Sequence, residues 1–285
     1  MRESVLSVLL DALAARRRGL AAISQRQRTR FAEIVAFARA NSPYYGRLYR
    51  ELPQRIDEPA LLPAVNKQEL MAHFDDGVTD REVNFAAVQA FADDPDRIGQ
   101  GFIGKYSVAT TSGTTGTPGI FLLDHRNWTV TLAFALHMLM SWLDARDIFQ
   151  ILIRGGRTAL AQATGGHFIG ATGFGAIRDR RLARPIRLFA AQSPLRQLVT
   201  ALNEFSPALL GGYASVMRLL AQEQEAGRLH IRPVLVHPSS EGLTEDETER
   251  IAKAFDAKVR TAYVATECLF LAIGCEHGWH HVNSD

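Results

Sequence analysis

Cysteine is scarce in this chain: its 285 residues include two, Cys268 and Cys275. Two thiols cannot build a disulfide framework at this length, so a reducing, cytoplasmic setting is expected. Charge of one sign is missing as well. Lys and Arg total 32 against 30 Asp and Glu, and a net charge of +2 gives no strong field that would select a partner. Basic residues do gather at Arg16, Arg17, Arg18, Arg26, Arg28 and Arg30, with no aromatic residue among them for base stacking. A solvated helix face is the expectation there, and no nucleic-acid partner. No apolar run reaches the ~20 residues of a membrane span. The longest, near Thr129–Leu143, contains His137 and reads as a buried helix. The stretch Val5–Leu13 is broken by Asp11 and has its arginines on the wrong side for a secretory signal, so no membrane partner is expected. Disorder is excluded by a 47% hydrophobic content.

Two halves differ in pattern. Over residues 1–50, Val5, Leu6, Leu9, Leu10 and Leu13 keep a helical period, and Phe31, Ile34, Val35 and Ala38 repeat it. Ser42-Pro43 stops that helix. Pro53, Pro59 and Pro63 mark an irregular connection, and Asn66 suits the cap of a short helix running to Phe74. From about residue 105, strands alternate with helices. Strands are expected at Tyr106–Thr111, Ile148–Ile153, Ala208–Leu210, Pro233–His237 and Val259–Tyr263. Helices are expected from Asn127, over Ala214–Glu225, and through Phe255 behind a Thr244/Glu247 capping box. This alternation predicts an α/β fold with mostly parallel sheets flanked by helices. The expected division is a helical N-terminal segment, 1–85, packing on an α/β region, 86–285.

The most unusual segment is Thr110-Thr111-Ser112-Gly113-Thr114-Thr115-Gly116-Thr117-Pro118-Gly119. Its glycines let backbone amides approach an anion, and its hydroxyls add donors, so the local chemistry reads as anion binding. Gly113 and Gly116 stand too close for the G-x-x-x-x-G-K-[ST] loop, and no lysine follows. The G-x-G-x-x-G dinucleotide fingerprint is absent too.

The segment resembles the phosphate-loop signature of adenylate-forming enzymes. Its neighbours resemble the phenylacetate–CoA ligase branch: Ser42-Pro43-Tyr44-Tyr45 followed by Leu62-Pro63-Ala64-Val65-Asn66-Lys67, then Leu210-Gly211-Gly212-Tyr213-Ala214-Ser215, Ser239-Ser240-Glu241-Gly242-Leu243-Thr244 and Tyr263-Val264-Ala265-Thr266-Glu267. Order and spacing agree across residues 40–285. The resemblance implies ATP-dependent activation of a carboxylic acid as its acyl-adenylate, followed by thioester formation with coenzyme A. It assigns Thr111, Ser112, Gly113, Thr114, Thr115 and Gly116 to the phosphates of ATP, and Ser240, Glu241 and Tyr263 to the adenine side. Thr266 would meet the α-phosphate and Glu267 would bind Mg²⁺. Two positions depart from the pattern: Val264 replaces a glycine, and Thr117 replaces the lysine often found after the second loop glycine.

His167, Phe168 and Phe174 lie in a stretch of small residues, Gly165 to Gly175, and are the candidates for the acid pocket; close helix packing is the competing reading of those glycines. Near the end, Cys275 and His277 stand too close for the usual finger spacing, so structural zinc from Cys268, Cys275, His277, His280 and His281 is disfavoured. The family normally continues with a ribose-binding aspartate and a mobile lobe bearing a catalytic lysine. Neither can be placed here, Lys253 and Lys258 lying in the wrong context. The expectation is therefore the N-terminal portion of an acid–thiol ligase with incomplete activity, with a non-catalytic nucleotide-binding fragment or a degenerate relative as the alternative. An assembly protein using the arginine-rich helix ranks last. The expected partner is a small carboxylic acid, and a homodimer is left open.

Overall fold

A computed structural model of the chain describes residues 3–111, 118–177 and 184–283. The N-terminal third is helical, as its periodicity predicts. Helix α1 (Val5–Arg17) starts at Ser4, whose hydroxyl accepts from the Ser7 amide at 3.1 Å. Helix α2 (Leu20–Asn41) ends at Ser42, and Pro43 opens α3 (Pro43–Leu48). The expected stop is thus also a start, because a proline at the first helical position loses no hydrogen bond. Asn66 caps α4 (Lys67–Ala72) through the Glu69 amide at 2.9 Å. A separate turn, α5 (Phe74–Gly77), follows it, and then α6 (Phe85–Ala92).

Strands β1 (Ser107–Thr110) and β2 (Ile120–Leu123) pair antiparallel, with Thr110 opposite Ile120. The candidate phosphate loop therefore falls between two paired strands, the second of which the sequence does not announce. Helix α7 (His125–Trp142) starts at the Asp124 cap and buries Trp128, Ala133, Met138 and Trp142, so the long apolar run is a core helix. Among the described residues, no helix is long and apolar enough to cross a membrane.

The strand expected at Ile148–Ile153 is instead the end of α8 (Ala145–Ile153). Asp144 and Asp147 form a reciprocal capping box, each carboxylate accepting from the other's amide at 2.9 and 3.0 Å. That local nucleus overrides the β-prone run behind it. Ile148, Phe149, Leu152 and Ile153 remain 43–68% exposed, which a buried strand would not be.

The first strand of the parallel sheet lies later, at β3 (Thr158–Gln162). There follow α9 (Ile169–Ile177), β4 (Ile186–Ala190), α10 (Leu195–Phe205), β5 (Leu209–Tyr213) and α11 (Ala214–Glu225). Next come β6 (Leu235–Ser239), α12 (Glu245–Phe255), β7 (Lys258–Val259) and β8 (Ala262–Tyr263), and last β9 (Ala272–Gly274) and β10 (His280–Val282). Strand β5 runs through Gly211 and Gly212 rather than closing before them. The strand expected over Val259–Tyr263 is two short ones in different sheets. The Arg260 amide still donates to Val236 at 3.1 Å, whereas Thr261 accepts from Gly274 at 2.8 Å and so joins the second sheet.

Five parallel strands in the order β4-β3-β5-β6-β7 form the main sheet. Ala159 and Ala161 on β3, Leu202 and Phe205 on α10, Met217 and Leu220 on α11, and Ile251 and Phe255 on α12 share its core. This is the α/β architecture that the alternation predicts. A second core joins the hairpin to the segment before it: Phe74, Val88, Phe91 and Phe102 pack with Val108 and Ile120. Strands β8, β9 and β10 make a small antiparallel sheet, set against α7 and β6 by Met138, Trp142, Leu235, Ala262 and Ile273.

Candidate functional site

In a parallel sheet the carboxyl ends of the strands, with the connections that leave them, are where ligands settle. Two of the motifs leave such ends, after β5 and β6, while the hairpin and the segment leaving β8 come from other sheets. The hairpin comes first. The Thr111 amide donates to the Gly119 carbonyl at 3.0 Å, and the Gly119 amide donates to Thr111 Oγ1 at 2.8 Å. These two bonds pinch the loop at its base. Ser112, Gly113, Thr114, Thr115, Gly116 and Thr117 lie outside the described residues.

The base of the hairpin is held from the side by the connection leaving β3. The Thr110 amide donates to the His167 carbonyl at 2.8 Å, and Thr172 Oγ1 on α9 donates to the Val108 carbonyl at 2.9 Å. At the other end of this connection, the Ala163 amide donates to the Tyr213 hydroxyl at 3.3 Å, tying it to the end of β5.

The end of β6 makes the next element. Ser240 adopts φ +67° in the left-handed region, a conformation that non-glycine residues hold mainly at constrained sites. The turn sends Glu241 back toward α11, where its carboxylate accepts from the Ser215 amide at 2.6 Å. The positive end of the helix dipole favours an anion there. Ser240 and Glu241 are both exposed.

The Tyr263–Glu267 segment leaves β8. Tyr263 is 61% exposed; Thr266 is half-buried and Glu267 exposed. Leu269, two residues on, packs against Ala109 and Leu123 of the hairpin together with Trp128 and Ile169. One apolar cluster thus fastens the Thr-Glu motif beside the base of the hairpin. Below it, His237 on β6 lies 5.2 Å from Trp142, and its Nδ1–H donates to the Arg260 carbonyl at 2.9 Å. Burial lowers its pKa, against a smaller opposing effect of that hydrogen bond, so the imidazole is neutral at pH 7.

The acid-pocket candidates divide. His167 is 2% exposed, its ring 5.3 Å from Phe91, so it sits in the packing between α6 and the hairpin. Phe168 and Phe174 are half-buried. The glycines around them make close contacts. A Cβ at Gly175 would overlap the backbone of Gly99, one at Gly173 would press on the Trp128 ring at 3.2 Å, and one at Gly170 would overlap the Gln162 carboxamide. Close helix packing is therefore what these small residues do. Tyr213 stands in a motif of the sequence, but its hydroxyl's partner, the Ala163 amide, is not signalled there, because it lies 50 residues away. Cys268 is exposed and Cys275 partly so, and among the described residues no group of three or more His, Cys, Asp or Glu side chains converges.

No family model and no curated protein matches the chain. Solved structures do. The chain is similar to 2-hydroxyisobutyryl-CoA ligase in complex with 2-HIB-AMP and CoA in the thioesterification state, with a TM-score of 0.60 and 20% identity, over 93% of this chain and 54% of the ligase. It is similar to the open conformation of that ligase with 2-HIB-AMP and CoA, with a TM-score of 0.59 and 19% identity, over 90% of this chain and 52% of the other. The chain thus spans about half the length of the ligase it matches. Its fold is the α/β fold of that ligase, over that half.

Proposed function

We propose that the chain is the nucleotide-binding part of an acid–thiol ligase that activates a small carboxylic acid with ATP and passes the acyl group to coenzyme A. The observation that carries this reading is the meeting of motifs. The phosphate hairpin, the Tyr213–Ser215 turn, the Ser239–Thr244 turn and the Tyr263–Glu267 segment are far apart in sequence. Hydrogen bonds join the second and third, as well as the connection beside the first, and Leu269 packs the fourth against the hairpin.

The chemistry asks for such a meeting. A carboxylate oxygen attacks the α-phosphorus of ATP, the bond to the β-phosphate oxygen breaks, and pyrophosphate leaves. The thiolate of coenzyme A then attacks the acyl carbon and AMP departs. The first step joins two anions, so donors must neutralise charge. Thr111 with Ser112, Gly113, Thr114, Thr115 and Gly116 would hold the β- and γ-phosphates. Thr266 would hold the α-phosphate, while Tyr263 would stack on adenine with Ser240 and Glu241 at its edge. Mg²⁺ usually takes one or two carboxylates and fills its shell with phosphate and water oxygens. A single exposed carboxylate, Glu267, beside the phosphate hairpin fits that mode. When bound, the cation would offset the phosphate charge.

Calorimetry with ATP tests the binding half. Glu267→Ala is expected to remove the gain in affinity that Mg²⁺ brings, leaving metal-free ATP binding unchanged; an unaltered Mg²⁺ dependence would refute the role of Glu267. Pyrophosphate–ATP exchange across a panel of carboxylic acids tests the chemical half. Exchange that depends on one acid class is expected, and its absence with every acid would leave a nucleotide-binding module without adenylation.

A further inference from the structure

The motif Leu62–Lys67 ends on a cation that the ligase reading has not used. Lys67 is the first residue of α4, and its side chain lies against the hairpin: a Cβ built at Gly119 would come within 3.1 Å of Lys67 Cδ. The helix fixes this placement. Met71 stands one turn after Lys67 on the same face of α4. Its Sδ accepts from the Ile120 amide at 3.4 Å, and it packs in the core that holds Val108 and Ile120. Two residues four apart thus meet the start of β2 side by side, Met71 at Ile120 and Lys67 at Gly119. The ammonium lies two bonds beyond Cδ. However those bonds turn, it stays beside the base of the loop.

That ammonium has no counter-charge. The lysine ion pairs among the described residues belong to Lys105 and Lys258. Glu69, the acid on the same helix, accepts from the Tyr44 hydroxyl at 2.6 Å instead. Lys67 is half-buried, so its stem is packed while its head is left unpaired. The loop has the opposite need. From Thr110 to Gly119 there is no Lys, Arg, Asp or Glu. The side chains assigned to ATP above are neutral or, at Glu267, anionic. A triphosphate carries several negative charges, and a hydrogen bond from a charged donor is stronger than one from a hydroxyl or amide.

Resting on the ligase reading above, we propose that Lys67 supplies the positive charge that the loop lacks, its Nζ–H donating to the β- or γ-phosphate of ATP. Those are the two phosphates that the loop holds in that reading. AMP has neither, so it should be indifferent to Lys67.

Calorimetry with ATP, AMP and inorganic tripolyphosphate, all without metal, tests the proposal. Lys67→Met keeps the length of the stem and removes the charge, and Lys67→Gln removes the charge with a polar end. Both are expected to weaken ATP at least about tenfold and to leave AMP unchanged. Lys67→Arg retains the binding of ATP. The salt dependence of ATP binding becomes shallower without the charge, which a loss of packing alone would not produce. ATP affinity that survives both substitutions overturns the proposal and leaves the ligase reading intact. So does an equal loss for ATP and AMP, the mark of a structural role. A parent chain that binds tripolyphosphate as tightly as ATP, and AMP not at all, holds polyphosphate and no nucleoside. That result overturns the ligase reading and this proposal with it, as does failure of the parent to bind ATP.

Discussion

Tyr44 joins two of the sequence motifs through one oxygen. Its hydroxyl donates to Glu69 Oε1 at 2.6 Å, and the Glu69 amide in turn donates to the Asn66 cap of α4 at 2.9 Å. The ring is buried, with His73 stacked at 5.4 Å and Tyr45 set edge-on at 5.2 Å. The hydrogen bond to Glu69, then burial, pushes the hydroxyl from 10.0 up to about 12. Tyr44→Phe is expected to cost about 1 kcal/mol in urea unfolding near neutral pH. The sign with pH follows from the raised value. The folded protein keeps this proton longer than the unfolded chain, so the contribution is complete below pH 10 and is lost as the pH rises toward 12. The gap in stability between the parent and Tyr44→Phe should therefore narrow over that range.

Single elements show what a local signal can and cannot specify. Helix α12 starts where Thr244 and Glu247 predict, because a capping box is complete within four residues: Thr244 Oγ1 accepts from Glu247 at 3.3 Å, and Glu247 Oε2 accepts from Thr244 at 2.9 Å. Thr244→Ala should lower the unfolding free energy by about 1 kcal/mol in chemical denaturation. The hydrogen bond from Thr244, and next the Arg218 guanidinium at 2.6 Å, lower the Glu247 pKa below 4.5. What Glu247 contributes is present above that pH and is lost as the pH falls through its depressed value. Caps, proline stops and amphipathic periods were legible for the same reason: each is written within a few neighbouring residues. Ile148–Ile153 was not, since an apolar run suits a buried strand and a helix end equally, and only the Asp144–Asp147 pair decides. Strand β3 escaped notice because Ala159 and Ala161 answer to the helices packed on the sheet, a demand from distant residues. The site divides in the same way. Its motifs are contiguous and readable, whereas the bonds that bring them together, Thr110 to His167 and Ala163 to Tyr213, span long separations.

At the scale of the molecule, the sheet and the candidate site share the same close contacts. Gly212 on β5 has φ +150°, and a Cβ there would overlap the Ala161 carbonyl oxygen on β3. Gly212→Ala should force these two strands apart and cost at least about 2 kcal/mol. Thermal unfolding measures the loss, and weakened ATP binding should accompany it, since Tyr213 and Ser215 follow directly. The hairpin has a consequence of another kind. Trp128, buried on α7, donates from its indole Nε1 to Ser107 Oγ on β1 at 3.0 Å, and its ring shares a cluster with Ala109 and Leu269. An indole so placed is a fluorophore in contact with both strands that flank the candidate loop, Ala109 on β1 and Leu123 on β2. On the proposed reading, ATP is expected to change the emission of the chain, and Trp128→Phe to abolish that change, so that occupancy is read with neither label nor turnover.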